Sequence, residues 1–377
     1  MSLAPFLLAW RTIPLHDREV VDALVDPAHA TPSAPLGAVL AAWPGTYYWS
    51  DEPDGRHLVL TRVTSPRRRE SWGLHALLAL ITLFTTTVAG SMIAGGVSPD
   101  VGFGFGALAQ GMDFLVPLSW GLSFSLPLFA ILLCHEMGHY LTARYYQLDV
   151  SPPYFLPGPP PVPPLPGIGT LGAFIRLRTL LTDRRQLLDV GAMGPFAGFL
   201  VALPTLWIGL ALSTPLPVDQ TLPWEPVGEG MILLVGGVGV TPLGDSLITL
   251  LLRQLTFPEG GIIGLHPAAF AGWVGMFVTM LNLLPMGQLD GGHILFAALP
   301  RWHRRVAVGF WICVMLLGMF WRGWLFWGFI VLLLSRGRFV HPPVLDVYRP
   351  LPPSRRWLAW ASLVLFLLTF APIPFRA

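Results

Sequence analysis

Long apolar stretches separated by short polar ones dominate most of the chain. The clearest cover residues 73–95, 114–143, 186–213 and 357–371, which approach or exceed the roughly 20 helical residues needed to cross a hydrocarbon core of about 30 Å. A run at 266–286 and two shorter ones at 306–320 and 324–336, which can form a hairpin around Arg322, extend the series. The stretch 231–256 is interrupted by Pro242, Gly244 and Asp245, so it reads as a re-entrant or interfacial element. Residues 1–68 break the pattern. They carry His16-Asp17-Arg18-Glu19, a Pro- and Ala-rich turn region, and a Tyr47–Val63 stretch split by Glu52-Pro53-Asp54-Gly55, the signature of a β-hairpin. The expected fold is an all-α polytopic membrane protein with about six to eight transmembrane or re-entrant segments. It also has a short membrane-associated β-hairpin and a small N-terminal α+β soluble domain. The expected boundaries are 1–68 for that domain and 69–377 for the membrane part.

Composition sharpens this picture. Apolar residues make up 53% of the 377 and charged residues 12%, a balance that fits a membrane solvent and not a soluble core. The formal charge is +2 and every basic residue other than His is Arg, too little and too scattered for a nucleic-acid surface. Trp72, Trp120, Trp324 and Trp357 fall near segment ends, where an amphipathic ring suits the headgroup zone. Arg67-Arg68-Arg69 precedes the first long run, placing the N-terminus in the cytoplasm by the positive-inside rule. Arg176, Arg178, Arg184 and Arg185, and later Arg301, Arg304 and Arg305, then fall on that same side, while Asp100, Asp113, Asp219, Glu225 and Glu229 fall opposite. The first residues lack a basic region and a cleavage site, so the N-terminus reads as retained. Cys134 and Cys313 lie within apolar runs and suggest packing, not a disulfide.

The candidate chemistry lies in Cys134-His135-Glu136-Met137-Gly138-His139, an HExxH pattern inside the apolar run Leu126–Leu141. Four residues apart on a helix, the two histidines project from one face about 6 Å apart along the axis, so both rings can reach one ion. Glu136 can face the same cavity without being a ligand, the position a general base for an activated water requires. Ionisable groups in an apolar helix are costly unless paired or functional. A catalytic zinc takes three protein ligands and keeps one position open, so a third ligand must come from elsewhere. Asp290 is a candidate, at the end of an apolar run broken by Pro285 and Gly287 and followed by Gly291 and Gly292. From the residues alone, capping of the next helix and metal ligation are equally good readings of Asp290.

The combination of HExxH in a membrane helix with Asn282, Pro285, Leu289, Asp290 and Gly291 downstream, an NxxPxxxLDG pattern, resembles the site-2 protease family. Gly169-Thr170-Leu171-Gly172-Ala173-Phe174-Ile175, and Gly194-Pro195 with Gly198, also resemble segments of that family; the likeness covers about residues 70–300. It implies that His135, His139 and Asp290 bind Zn2+, that Glu136 is catalytic, and that the catalytic core spans about 114–300. It further implies a zinc metalloendopeptidase that cuts a single-span membrane protein within the lipid bilayer, as in regulated intramembrane proteolysis. No PDZ or CBS insertion is visible. The pattern is that of the compact bacterial, cyanobacterial and plastid branch, and a bacterial cytoplasmic membrane is the expected location. Gln147 stands where Gly is usual after the HExxH helix.

Substrate contacts are expected at Asn282 and at Gly172, Ala173 and Phe174. Asn282 can hydrogen-bond substrate or stabilise the broken helix, two readings of equal standing. Residues 168–178 read as a strand or hairpin edge, to which a locally unwound substrate can add as a strand, or else as a cytosolic turn; the family resemblance implies a membrane-dipping hairpin here. The proline-rich run from Pro157 to Pro166 is polyproline-like, a rigid connector or a ligand for a signalling domain. Two other functional classes remain open. One is a membrane zinc protease completed by a glutamate, but Glu225, Glu229 and Glu259 lie outside the long apolar runs. The other is a transporter or non-catalytic metal-binding scaffold, which the intact Glu136 beside the histidines disfavours.

Overall fold

The computed structural model describes the chain except for residues 1–2, 15–17, 32, 64–69, 95–114, 162–166, 179–180, 217–231, 237–238, 342–343, 345–348 and 376–377. Arg67 to Arg69, Asp100, Asp113, Asp219, Glu225, Glu229 and part of the proline-rich run therefore lie outside the described residues.

The first strands are β1 (Leu7–Pro14), β2 (Arg18–Val25), β3 (Gly45–Glu52) and β4 (Gly55–Val63), an antiparallel sheet in the order β1-β2-β4-β3. The expected hairpin turns at Pro53-Asp54, where Glu52 pairs with Gly55, and Gly55 takes a φ of +143° that a side chain would strain. Helix α1 (Ala34–Ala41) begins at Ser33, whose hydroxyl caps the Leu36 amide, and buries Leu36 and Leu40 against Leu58 and Leu60 of β4.

Among the described residues, three helices are long and apolar enough to cross a membrane: α2 (Trp72–Ile93), α3 (Leu115–Tyr145) and α4 (Arg184–Ala211). Leu80 and Phe84 on α2 and Leu200 and Ile208 on α4 are more than 60% exposed, a surface that suits lipid and not water. Asp183 caps α4 by accepting from the Gln186 amide. Shorter helices follow: α5 (Leu247–Thr256), α6 (Pro267–Asn282), α7 (Asp290–Ala298), α8 (His303–Leu317), α9 (Gly323–Leu334) and α10 (Pro353–Thr369). Phe124, Leu128 and Ile131 of α3, Leu206 and Leu210 of α4, and Phe270 and Trp273 of α6 form one buried core. A Cβ at Gly272 would lie 2.5 Å from the Leu206 amide nitrogen, so α6 and α4 meet through small residues, as membrane helices do.

Two further sheets lie among the helices, one expected and one that departs from the expected fold. Strands β5 (Tyr154–Pro157) and β6 (Thr170–Phe174) make the expected hairpin, with Tyr154 opposite Phe174, and its ladder continues through the Val150–Leu177 bridge. The other sheet, in the order β7-β10-β8-β9, was not foreseen; it comprises β7 (Thr214–Leu216), β8 (Ile232–Gly236), β9 (Gly239–Leu243) and β10 (Ile262–Gly264). The stretch read as re-entrant or interfacial thus folds as a β-hairpin followed by the ten-residue α5.

Candidate metal centre

The site forms where α3, α4 and the junction between α6 and α7 meet. His135 and His139 lie one turn apart on α3, and their Nε2 atoms are 3.2 Å from each other. Asp290 opens α7, and its Oδ2 lies 3.4 Å from Nε2 of His135 and 3.3 Å from Nε2 of His139. Of the two readings of Asp290, the cap has no hydrogen bond to support it: the residue before α7 is Leu289, with no side-chain cap. The carboxylate points at the histidines instead.

Hydrogen bonds set the ring tautomers. His139 Nδ1 lies 2.7 Å from the Val190 carbonyl; a carbonyl only accepts, so Nδ1 carries the proton and Nε2 keeps its lone pair. The Asn282 amide nitrogen, a donor, lies 3.3 Å from Nε2 of His135, so Nε2 is unprotonated there too, and its one lone pair accepts from Asn282 where no ion takes it. Two imidazole lone pairs and a carboxylate oxygen therefore converge on one buried point, where they repel unless a cation sits among them. Hydrogen-bond orientation of a ligating histidine through its second nitrogen is the usual device at such centres. The donor set fits a divalent metal ion.

Helix α4 makes room for the rings. A Cβ at Gly194 would lie 2.0 Å from Nε2 of His139, and one at Gly198 would lie 3.1 Å from Cβ of His135. The four-residue step between the glycines thus opposes the four-residue step between the histidines on an antiparallel helix. Gly291 and Gly292 let the loop after α6 fold back: side chains there would run into the Leu283 and Gly287 carbonyls, at 2.0 and 2.5 Å.

The three groups and Glu136 line a cavity of about 520 Å³. Asn282, Ala173 and Phe174 are also in its wall, whereas Gly172 is not; it lies on β6 at φ +101°. Among the described residues, β6 has β5 on one edge and no strand on the other. His293 and His341 complete the wall and were not singled out from the sequence. His293 follows Asp290 by three residues, a spacing that could have flagged it; His341 lies in a proline-flanked segment that gives no such signal.

The family model described as Peptidase family M50 matches residues 123–320, which contain the whole candidate centre except the wall segment carrying His341. The protein named Probable zinc metalloprotease EGY1, chloroplastic, from Arabidopsis thaliana is 30% identical over 70% of this chain and 44% of its own length. Probable zinc metalloprotease EGY2, chloroplastic, is 29% identical over 80% and 49% in Arabidopsis thaliana, and 32% over 53% and 33% in Oryza sativa subsp. indica. The chain spans about half the length, or less, of these curated relatives. No solved structure matches the chain significantly. The relatives are named as chloroplastic plant proteins, so they give no support to the expected bacterial cytoplasmic membrane.

Proposed function

The chain belongs to peptidase family M50, the site-2 protease family that its motifs resemble, and on that premise we propose that it is an intramembrane zinc metalloendopeptidase. Its substrate is the transmembrane segment of a single-span membrane protein. The observation that carries the reading is the convergence of two imidazole lone pairs and a carboxylate beside Glu136, in one cavity within apolar helices.

His135, His139 and Asp290 would hold zinc, which when bound acidifies a water and polarises a carbonyl. Glu136 then takes the proton of the attacking water and returns it to the nitrogen of the departing chain. Asn282, whose amide reaches the His135 ring and which lines the cavity, orients the substrate in this reading. The open edge of β6, with Ala173 and Phe174 in the cavity wall, can take an unwound substrate segment as an added strand, replacing the helical hydrogen bonds that segment gave up.

The finer topology belongs to the same proposal. The shorter apolar helices bring the membrane segments to about six to eight, and residues 1–68 form a unit on the cytoplasmic side. A single-span reporter cleaved by the wild-type chain tests the chemistry. Glu136→Gln is expected to retain zinc, measured by metal analysis, and to lose cleavage by at least about 100-fold. Equal cleavage by the two proteins overturns the role of Glu136.

A further inference from the structure

A pair of histidines outside the HExxH helix shapes the far wall of the cavity. His293 lies one helical turn after Asp290, about 4.5 Å further along the α7 axis, and its Nδ1 is 2.7 Å from Nε2 of His341. The two rings meet edge to face, with centroids 4.9 Å apart. Phe296, one turn further along α7, stacks flat on His341 at 4.2 Å, and the His303 ring stands against it at 5.8 Å. On the other side, Gly191 of α4 lets His293 approach: a Cβ there would sit 3.2 Å from Cβ of His293 and 3.5 Å from the Asp290 carbonyl. The pair is thus packed from two helices, and both residues line the cavity that holds Glu136 and Asp290.

A 2.7 Å contact between two ring nitrogens requires one to carry the proton and the other a lone pair. Nδ1 of His293 is committed to this contact, which leaves Nε2 as the ring nitrogen available to another partner. When His341 donates, His293 keeps its own proton on Nε2 and becomes a donor toward whatever occupies the cavity.

The cavity needs such a donor. Glu136 and Asp290 are acceptors, and much of the remaining wall is apolar, as at Ile175, Leu187 and Val190. A peptide bond presented here brings a carbonyl oxygen that has lost its helical partner, and on attack that oxygen gains charge. Asn282 lies on the His135 side; His293 follows Asp290 by one turn of α7. We propose that His293 donates from Nε2 to the carbonyl oxygen of the scissile peptide, and that His341 is a positioning residue that holds the proton on that nitrogen. The assignment rests on the peptidase reading above. As the new carbon–oxygen bond forms, the carbonyl π pair moves onto the oxygen facing His293, and the proton of the water passes to Glu136. The pair on that oxygen then re-forms the carbonyl π bond as the carbon–nitrogen bond breaks, the carbon–nitrogen pair stays on nitrogen, and that nitrogen takes the proton from Glu136. His293 keeps its proton throughout.

The test uses the full chain in proteoliposomes with a single-span reporter. His293→Leu is expected to lower kcat about 100-fold, the effect of removing one donor to a developing oxyanion, and to raise KM about tenfold as the ground-state hydrogen bond is lost. His293→Gln, which can place an amide N–H near the lost one, recovers most of the rate. His341→Phe, which preserves the stacking on Phe296, lowers kcat about tenfold, and His341→Gln recovers it. Reporter affinity is measured in the Glu136→Gln background, where nothing is cut. There His293→Leu weakens binding about tenfold and His293→Gln restores it, on the scale of one hydrogen bond. Unchanged affinity and unchanged kcat in His293→Leu, with its metal content and thermal unfolding midpoint intact, overturn the assignment. A wild-type chain that binds the reporter through His293 but never cuts it overturns the peptidase reading instead and leaves the contact standing.

Discussion

At the scale of single residues, the pair Gly194 and Gly198 separates a requirement for space from a requirement for chemistry. An added methyl at Gly194 would lie 2.0 Å from Nε2 of His139, an overlap that displaces the ring; at Gly198 the nearest atom is Cβ of His135 at 3.1 Å, which a shift of a few tenths of an ångström relieves. Gly194→Ala is therefore expected to lose bound metal, read by metal analysis of the purified protein, and activity with it, while the helical circular dichroism is retained. Gly198→Ala is expected to keep its metal. The reverse order would show that the rings are not seated against α4 as described. His135, Glu136 and His139 were legible from the sequence because a four-residue spacing has a fixed meaning on a helix. Asp290 was only half legible, since capping and ligation leave the same local signature and the contact with the histidines depends on tertiary packing. The glycines had a usable signal in the small-xxx-small spacing, but it does not say which side chain fills the space.

Among elements, the β5–β6 hairpin is fastened to α2. His75 Nδ1 is 3.0 Å from the Pro153 carbonyl, the Thr85 hydroxyl donates to the Gly169 carbonyl at 2.6 Å, and Glu70 pairs with Arg178 just beyond the hairpin. The hydrogen bond from Arg178 holds the Glu70 carboxyl below its ordinary value of 4.5, its charge and His75 adding to the effect and burial opposing it. A depressed carboxylate contributes stability that is present above its unfolded pKa and disappears as pH falls through the folded one. Amide exchange at residues 154–156 is thus expected to accelerate as pH drops below about 4.5, after correction for intrinsic exchange. Glu70→Gln should already exchange faster at neutral pH and show less of this acid dependence; identical profiles in the two proteins would remove the pair from the fastening. The β6 strand was legible from its glycines followed by alternating apolar and Arg positions. The sheet holding β8 and β9 was not, because a short apolar run broken by glycines looks the same whether it dips into lipid or pairs with a neighbour. What decides is β10, which pairs with both β7 and β8 from a separate part of the chain.

For the molecule as a whole, the long helices leave a simple expectation about sides. The N-terminal sheet precedes α2, and β7 follows the far end of α4, so with α2 to α4 crossing in turn the two sheets face opposite compartments. Pro53→Cys and Glu259→Cys, both at exposed turn positions, are expected to react with a membrane-impermeant maleimide from opposite sides of sealed vesicles, in a background without Cys134 and Cys313. Labelling of both from one side would overturn this arrangement. The helical membrane architecture was legible because a hydrocarbon solvent imposes segment length directly. The order in which the shorter helices pack was not, since α6 to α10 owe their placement to contacts such as Trp324 buried against the C-terminal segment.

The distribution of the three converging groups bears on biosynthesis. The imidazoles arrive on α3, the space for them on α4, and the carboxylate only at Asp290, the first residue of α7. A chain still emerging from the ribosome carries the two rings and Glu136 long before it carries the aspartate. Until that late piece is inserted and folds back, the growing polypeptide cannot bring the three groups together, and under the proposed reading no complete metal site exists during synthesis.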